Sequence, residues 1–378
     1  MPSLADEINS VPAPVLEALR AHAFDDALFA RLSAELAAGR ADALREKNRV
    51  KGQVEPPASS DLVESWDTDG NRALGAGALA RGEVAMCVLA GGMATRMGGV
   101  VKSLVEVFDG HTFLDLRLRE NAALSKKYGA TVPLWLMTSD ATEAPTRAAL
   151  AKAHAPDHVR TFVQNLGVRL EKNGALFRDE AGAPSTYATG HGDLVDAMRR
   201  SGLLGDFVKR GGKTVFIANL DNLGACLDPA LLGAFLRSER EVMVEVCAKA
   251  VGDKGGIPVR VDGHIQVLEE FRLPATFDPT RVHVFNTNTF TVAADALLTR
   301  PIDWSWFYVE KKVGDRTAVQ FERLIQEITS AMTSLYAVVP RDSGGERTSR
   351  FLPVKDNAEL DARRGALRDL AEQRGWLK

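Results

Sequence analysis

From Pro12 to Glu46 the apolar positions recur at three- and four-residue spacing, through Leu16, Leu19, Phe24, Leu28 and Leu32, which predicts helices with one buried face. Between Val50 and Gly75 the composition shifts to Pro, Ser, Asp and Gly, the signature of an irregular connection. Near Arg81 the pattern becomes alternation. It predicts strand Val84–Leu89, helix Phe113–Lys127, strand Val132–Met137, helix Ala144–His154 and strand His158–Val163. Helix Leu194–Arg200, strand Thr214–Ala218 and helix Pro229–Arg237, with Asp228 placed as its cap, continue the series. The stretch GIPVRVDGHIQVLEE sets two alternating runs around Asp262-Gly263, a two-residue hairpin signal. Strand Val282–Phe285, an amphipathic helix over Thr317–Met332 and a last helix over Glu359–Gln373 complete the reading. Strands alternating with helices predict an α/β fold, a mainly parallel sheet covered on both faces. The divisions are a helical segment and connection over 1–80, a main domain over 81–355 and a short helical tail over 356–378.

Composition narrows the function classes. The 378 residues are ample for a large core, and the net charge of −3 lacks the basic excess of a protein held by nucleic-acid phosphates. Cys87, Cys226 and Cys247 lie far apart with no metal or disulfide spacing, so they read as small buried residues in a reducing compartment. Asp6 and Glu7 stand where a signal peptide would carry Lys or Arg, and no run approaches a membrane span. A soluble cytoplasmic protein, with no nucleic-acid or membrane partner, is expected.

The candidate chemistry begins at Val88, with VLAGGMATRMGGVVKS following the first core strand. In open α/β sheets the first strand-to-helix turn is the usual phosphate cradle. Gly91 and Gly92 would let a ligand approach the backbone without a Cβ, with Ala90 beside them as a further nucleotide-binding position, Arg96 could fork two phosphate oxygens, and Lys102 could supply a point charge. The stretch fits neither a Walker A loop nor GxGxxG, and a glycine-rich turn with surface cations stays open on spacing alone.

The same stretch resembles the nucleotide-sugar pyrophosphorylase signature LxGGxGTRMGxxxPK. Further blocks, PLWLMTSDATE, FVQN, YATGHGDL, ANLDNLGACLDP, GDKGG, VFNTNTF and SRFLPVK, follow in the order of the eukaryotic-type UDP-glucose pyrophosphorylase family. The resemblance runs from about Val84 to Lys355. It implies a mixed, mostly parallel Rossmann-like nucleotidyltransferase (GT-A-like) sheet after a helical N-terminal segment. It also implies transfer of a uridylyl group from UTP to glucose 1-phosphate, with Mg²⁺, giving UDP-glucose and pyrophosphate.

By resemblance Arg96, Lys102 and Lys355 act on the phosphates, Gln164 pairs with uracil, and Gly190 and His191 contact nucleotide and sugar. Asp221 ends a strand where a carboxylate could hold Mg²⁺, with Asn219 and Asn222 beside it. The residues alone allow "DN" to be merely a turn. Asn286 and Asn288 alternate with Phe285 and Thr287, which predicts both amides on one face, toward sugar or toward water. Asp253, Lys254 and Gly256 match the KGG segment, which by resemblance closes near the sugar.

The chain also departs from the family pattern. Ala94 replaces a glycine, Val101 replaces the proline before the lysine, the loop before Lys102 is one residue short, and YATGHGD lacks two prolines. These changes bear on nucleotide and sugar preference. A pyrophosphorylase for N-acetylglucosamine or galactose 1-phosphate, and a nucleotide-sugar-binding protein without turnover, are the alternative readings. The tail from Asp361 to Lys378 resembles no β-helical C-terminal domain, so assembly through one is not expected, and a monomer or weak oligomer is.

Overall fold

The computed structural model describes residues 4–253, 255–343 and 348–377. Its centre is an eight-stranded sheet. In spatial order the strands are Leu62–Val63, Ser334–Val338, Val242–Ala248, Val284–Ala293, Thr214–Asn219, Val84–Leu89, Leu134–Thr138 and Val159–Val163. Val284–Ala293 runs antiparallel to both neighbours, and every other pair is parallel. Covered on both faces, the central strands are nearly continuous apolar runs such as VAMCVL and TVFIAN.

Alternate residues of one strand feed the two layers. Ala85 and Cys87 join the core beneath Leu194, Met198 and Phe207, whereas Val84, Met86 and Val88 join the opposite core with Phe113, Leu116, Leu232 and Leu367. The N-terminal helices form a third cluster, in which Leu19, Phe29 and Leu32 pack against Leu166, Tyr187, Val319 and Phe321.

Two expectations are corrected. The stretch Val50 to Gly75, read as an irregular connection, gives way from Asp69 to helix Asp69–Ala80, started by Thr68, whose hydroxyl accepts from Asn71 N at 3.2 Å. Gly75 is there for close packing against helix Pro229–Ser238: a Cβ on Gly75 would lie 1.9 Å from Pro229 O, and one on Gly233 of that second helix would lie 1.8 Å from Asn71 O. The amphipathic helix expected over Thr317–Met332 is strand Arg316–Glu322, then a 3-10 turn Ile325–Glu327 and the single turn Ile328–Ala331. Its partner strand Phe307–Val313 overrides the helical spacing, because Val319 and Phe321 are claimed by the N-terminal cluster. The hairpin at Asp262-Gly263 forms with positive φ of 49° and 84°. Among the described residues no helix is long and apolar enough to cross a membrane.

The parallel registers set Leu89 level with Asn219 and Met137, and Thr138 level with Val163. The segments leaving these strands therefore converge at the carboxyl edge of the sheet, where open α/β sheets bind ligands.

Candidate active site

A cavity of about 360 Å³ opens at that edge, lined by Gly91, Gly92, Lys102, Gln164, His191, Asn219 and Asp221 together with Leu89, Met137 and Leu220. Seven residues singled out in the sequence thus meet around one space. Lys102 Nζ lies 2.5 Å from Asp221 Oδ2.

The glycine-rich stretch is built differently from the expected strand-to-helix turn. Met93–Ala94 and Val100–Val101 pair as a small hairpin turning at Gly98 and Gly99, and a 3-10 turn Lys102–Leu104 follows. The next helix, Phe113–Tyr128, starts only after a second hairpin, and its N-terminus is closed by Thr112 and Asp115 in a reciprocal capping box. No helix dipole faces the cavity from this segment. What does face it is the Gly91–Gly92 backbone, with Lys102 N donating to Gly92 O at 3.2 Å. Ala90 is buried and locked by its N–H to Met137 O at 2.8 Å. Ser139 Oγ donates to Gly91 O at 2.9 Å, and a Cβ on Gly91 would lie 2.5 Å from Gln164 Oε1. Gln164 is buried at the end of its strand, its backbone N–H held by Thr138 O.

His191 lines the same cavity, with Gly190 next to it in the chain. Gly190 has φ 99° and packs so closely that a Cβ would lie 2.3 Å from Arg323 O. Ile325 N donates to His191 Nδ1 at 2.9 Å, which leaves the ring proton on Nε2. Burial depresses the imidazole to about 4. His191 is accordingly a neutral group in this wall, not a cation.

Asn219 accepts from Asn288 Nδ2 at 2.9 Å. The alternation that was expected to put Asn286 and Asn288 on one face is broken by a bulge: Glu245 pairs with Thr289 and Val246 with Asn286, so Asn288 takes φ 58°. Its N–H turns back to Asn286 Oδ1 at 2.9 Å. Gly256 begins the hairpin near these groups, where a Cβ would lie 3.4 Å from Asn286 Nδ2 and from Glu269 Oε1. Glu269 is pushed up to about 7, first by burial and then by the Glu270 carboxylate.

Eight expected residues do not line the cavity: Ala90, Gly190, Gly256, Asn286 and Asn288, placed above, and Asn222, Arg96 and Lys355. Asn222 is fully buried and its amide is engaged internally, donating to Arg350 O at 3.1 Å and accepting from Leu352 N at 2.8 Å. It ties the NLDN loop to the RFLPVK segment. Arg96 lies exposed on the turn Thr95–Met97, and Lys355 lies exposed ahead of the last helix. Of the three cations, only Lys102 is brought to the cavity wall. Asp253 is occupied by a forked Arg341, at 2.6 and 3.1 Å, and Lys254 lies outside the described residues.

Sequence reasoning missed the arginines that hold this edge together. Arg117 is completely buried, paired with Glu120 at 2.6 Å, and donates to the carbonyls of Asn219, Asn222 and Ala225. Its signal was present, since Arg117 and Glu120 fall three apart on the helix face that also carries Phe113 and Leu116. Arg350 forks Glu245 at 2.6 and 2.7 Å, and Arg323 holds Asp193 and Asp196.

The geometry has clear relatives. The family model described as UTP–glucose-1-phosphate uridylyltransferase matches residues 38–373. Curated proteins of that name from Hordeum vulgare, Musa acuminata and Saccharomyces cerevisiae are 32%, 33% and 32% identical over 72%, 74% and 74% of this chain. The chain spans about three fifths of their length, 59%, 62% and 58% respectively. Among solved structures, a UDP-glucose phosphorylase from Trypanosoma brucei superposes with a TM-score of 0.71 at 24% identity, covering 96% of this chain and 78% of that one. The uridine diphosphate N-acetylglucosamine pyrophosphorylase from the same organism, in complex with an inhibitor, gives 0.72 at 19% identity, covering 97% and 84%. These structures share the fold, while the family model and the curated relatives carry the assignment: the chain belongs to the UTP–glucose-1-phosphate uridylyltransferase family.

Proposed function

We propose that this protein transfers a uridylyl group from UTP to glucose 1-phosphate, forming UDP-glucose and releasing pyrophosphate. The observation that carries the reading is the Lys102–Asp221 pair beside the Gly91–Gly92 backbone, with Gln164 and His191 lining the same cavity. A nucleotide fits this arrangement in one direction. Gln164 offers an amide that can accept from and donate to a uracil edge, while Lys102 offers a charge to the phosphates.

A phosphate oxygen of the sugar phosphate attacks the α-phosphorus of UTP, and the bond to the pyrophosphate oxygen breaks on the opposite side. No protein nucleophile takes part. The chain's own task is to bring two polyanions together and hold them in line, so Lys102 supplies positive field and Asn219 with Asn288 supplies amide groups beside it. Neutral His191 can donate from Nε2 to a ligand oxygen without itself titrating near neutral pH. Arg96 and Lys355, both exposed, are proposed to reach the phosphates when substrate is bound.

Among the described residues no three His, Cys, Asp or Glu side chains gather as a metal centre. Asp221 alone suits Mg²⁺, which is commonly held by one or two carboxylates together with substrate phosphates. When bound there, Mg²⁺ would neutralise phosphate charge. We propose Asp221 as its protein ligand.

The test is Mg²⁺-dependent pyrophosphate release from UTP, dTTP, GTP and ATP, each offered with glucose, galactose and N-acetylglucosamine 1-phosphates. Release chiefly from UTP with glucose 1-phosphate is the expected result. Release chiefly from another pair would move the specificity and keep the chemistry, and silence across the panel would overturn the reading.

A further inference from the structure

In the block PLWLMTSDATE, Ser139 and Thr142 have no part in the reaction proposed above. Ser139 precedes helix Asp140–Lys152 and Thr142 lies in its first turn. Both are buried, at 5% and 0% exposure, so neither side chain is placed to touch a ligand itself.

Their hydroxyls are spent on the glycine-rich stretch instead. Ser139 Oγ donates to Gly91 O at 2.9 Å and Thr142 Oγ1 donates to Ala90 O at 3.3 Å. Ser139 N in turn donates to Thr142 Oγ1 at 2.9 Å, which fixes the second hydroxyl. Two successive carbonyls are thus drawn toward one turn of helix. These peptide bonds are trans, and in a trans peptide the N–H points opposite to the C=O of the same plane. The N–H groups of Gly91 and Gly92 are therefore both turned away from Ser139 and Thr142. Gly91 and Gly92 line the cavity, and among the described residues neither N–H has an acceptor. The approach also requires glycine: a Cβ on Gly91 would lie 3.3 Å from Ser139 N as well as 2.5 Å from Gln164 Oε1.

Adjacent N–H groups presented on one side make a small cradle for an electronegative atom. Rotation of either peptide would replace a donor with a carbonyl oxygen, which repels the oxygens of a nucleotide. We propose that Ser139 and Thr142 are positioning residues, holding the Ala90 and Gly91 carbonyls back so that the Gly91 and Gly92 N–H groups meet oxygen acceptors of the bound nucleotide beside Gln164. This role rests on the proposed function only in taking a nucleotide as the ligand.

The experiment is calorimetric titration of the full chain with UTP, GTP and ATP, with Mg²⁺ and without sugar phosphate. Ser139→Ala and the nearly isosteric Thr142→Val should each weaken the nucleotide that the wild type binds by about tenfold, the order of one lost hydrogen bond. Thr142→Ser keeps the hydroxyl and should restore the affinity. Should Ser139→Ala fail to fold, Thr142→Val and Thr142→Ser carry the comparison. In the chain labelled with ¹⁵N-glycine, the Gly91 and Gly92 amide protons should move downfield when nucleotide is added. Equal affinity in all four proteins, weakening that Thr142→Ser does not restore, or unmoved Gly91 and Gly92 protons would overturn the role and leave the proposed reaction standing. A wild type that binds GTP or ATP in place of UTP would overturn the proposed reaction, and the same variants would still decide the role. A wild type that binds no nucleotide would overturn both.

Discussion

Lys102 Nζ sits 2.5 Å from Asp221 Oδ2, with the two side chains only 18% and 15% exposed. The cation proposed for the phosphates and the carboxylate proposed for the metal thus neutralise each other. On the proposed function, substrate and Mg²⁺ would have to separate them. Lys102→Ala should lower the rate of pyrophosphate release by about 10²–10³, the cost of losing one preorganised charge contact. The same variant releases Asp221, so Mg²⁺ should bind at least as tightly as in the wild type. Turnover near the wild-type rate would remove Lys102 from the mechanism.

Glu120→Ala tests the scaffold under this pair. Arg117 is wholly buried, and Glu120 is the carboxylate that matches its charge. Deleting one partner of a buried pair leaves an uncompensated charge, at a cost of about 3–5 kcal/mol. Urea unfolding should show a loss of that order. Because Arg117 also holds the carbonyls of Asn219 and Asn222, nucleotide binding should weaken in the molecules that remain folded.

How far these features could be read in the sequence depended on how local their causes are. Strand Val84–Leu89 and the Asp262-Gly263 hairpin follow from their own residues. Helix Asp69–Ala80 did not, because its Gly75 answers to Pro229 across the helix crossing, a contact no local pattern contains. The strand at Arg316–Glu322 was hidden for the same reason, its partner being Phe307–Val313. At the site, Lys102 and Asp221 stand in quotable motifs, whereas the bulge that turns Asn288 toward Asn219 is set by the register with Val242–Ala248.

Gly190→Ala should separate positioning from chemistry. The new Cβ would meet Arg323 O at 2.3 Å and sit at φ 99°, so the Thr189–His191 backbone must move away from Arg323. Strain of this kind costs about 1–3 kcal/mol. KM for the nucleotide should rise together with the stability loss. Gly182→Ala is the control, since Gly182 also has positive φ, 80°, with nothing within 4 Å of a Cβ. It should lose some stability and leave KM unchanged; an equal KM effect in both variants would show that packing on Arg323 does not position the wall.

Glu269 gives the pH dependence a definite sign. Burial, then the neighbouring Glu270 carboxylate, raises its carboxyl from 4.5 to about 7, while Arg272 and the Gln326 amide act in the opposite direction. The folded chain therefore holds a proton that the unfolded chain releases between those two values. The stability this group contributes is complete below about pH 4.5 and is lost as the pH rises toward 7. Glu269→Gln keeps an oxygen to accept from Gln326 Nε2 and cannot ionise. Near pH 4.5 it should match the wild type, and above pH 7 it should be the more stable protein, by at most about 3 kcal/mol. Urea midpoints measured across that interval decide the matter. A constant difference between the two proteins would mean that Glu269 titrates in its ordinary range, and that the ground beside Gly256 and Asn286 carries a negative charge at neutral pH rather than a proton to share.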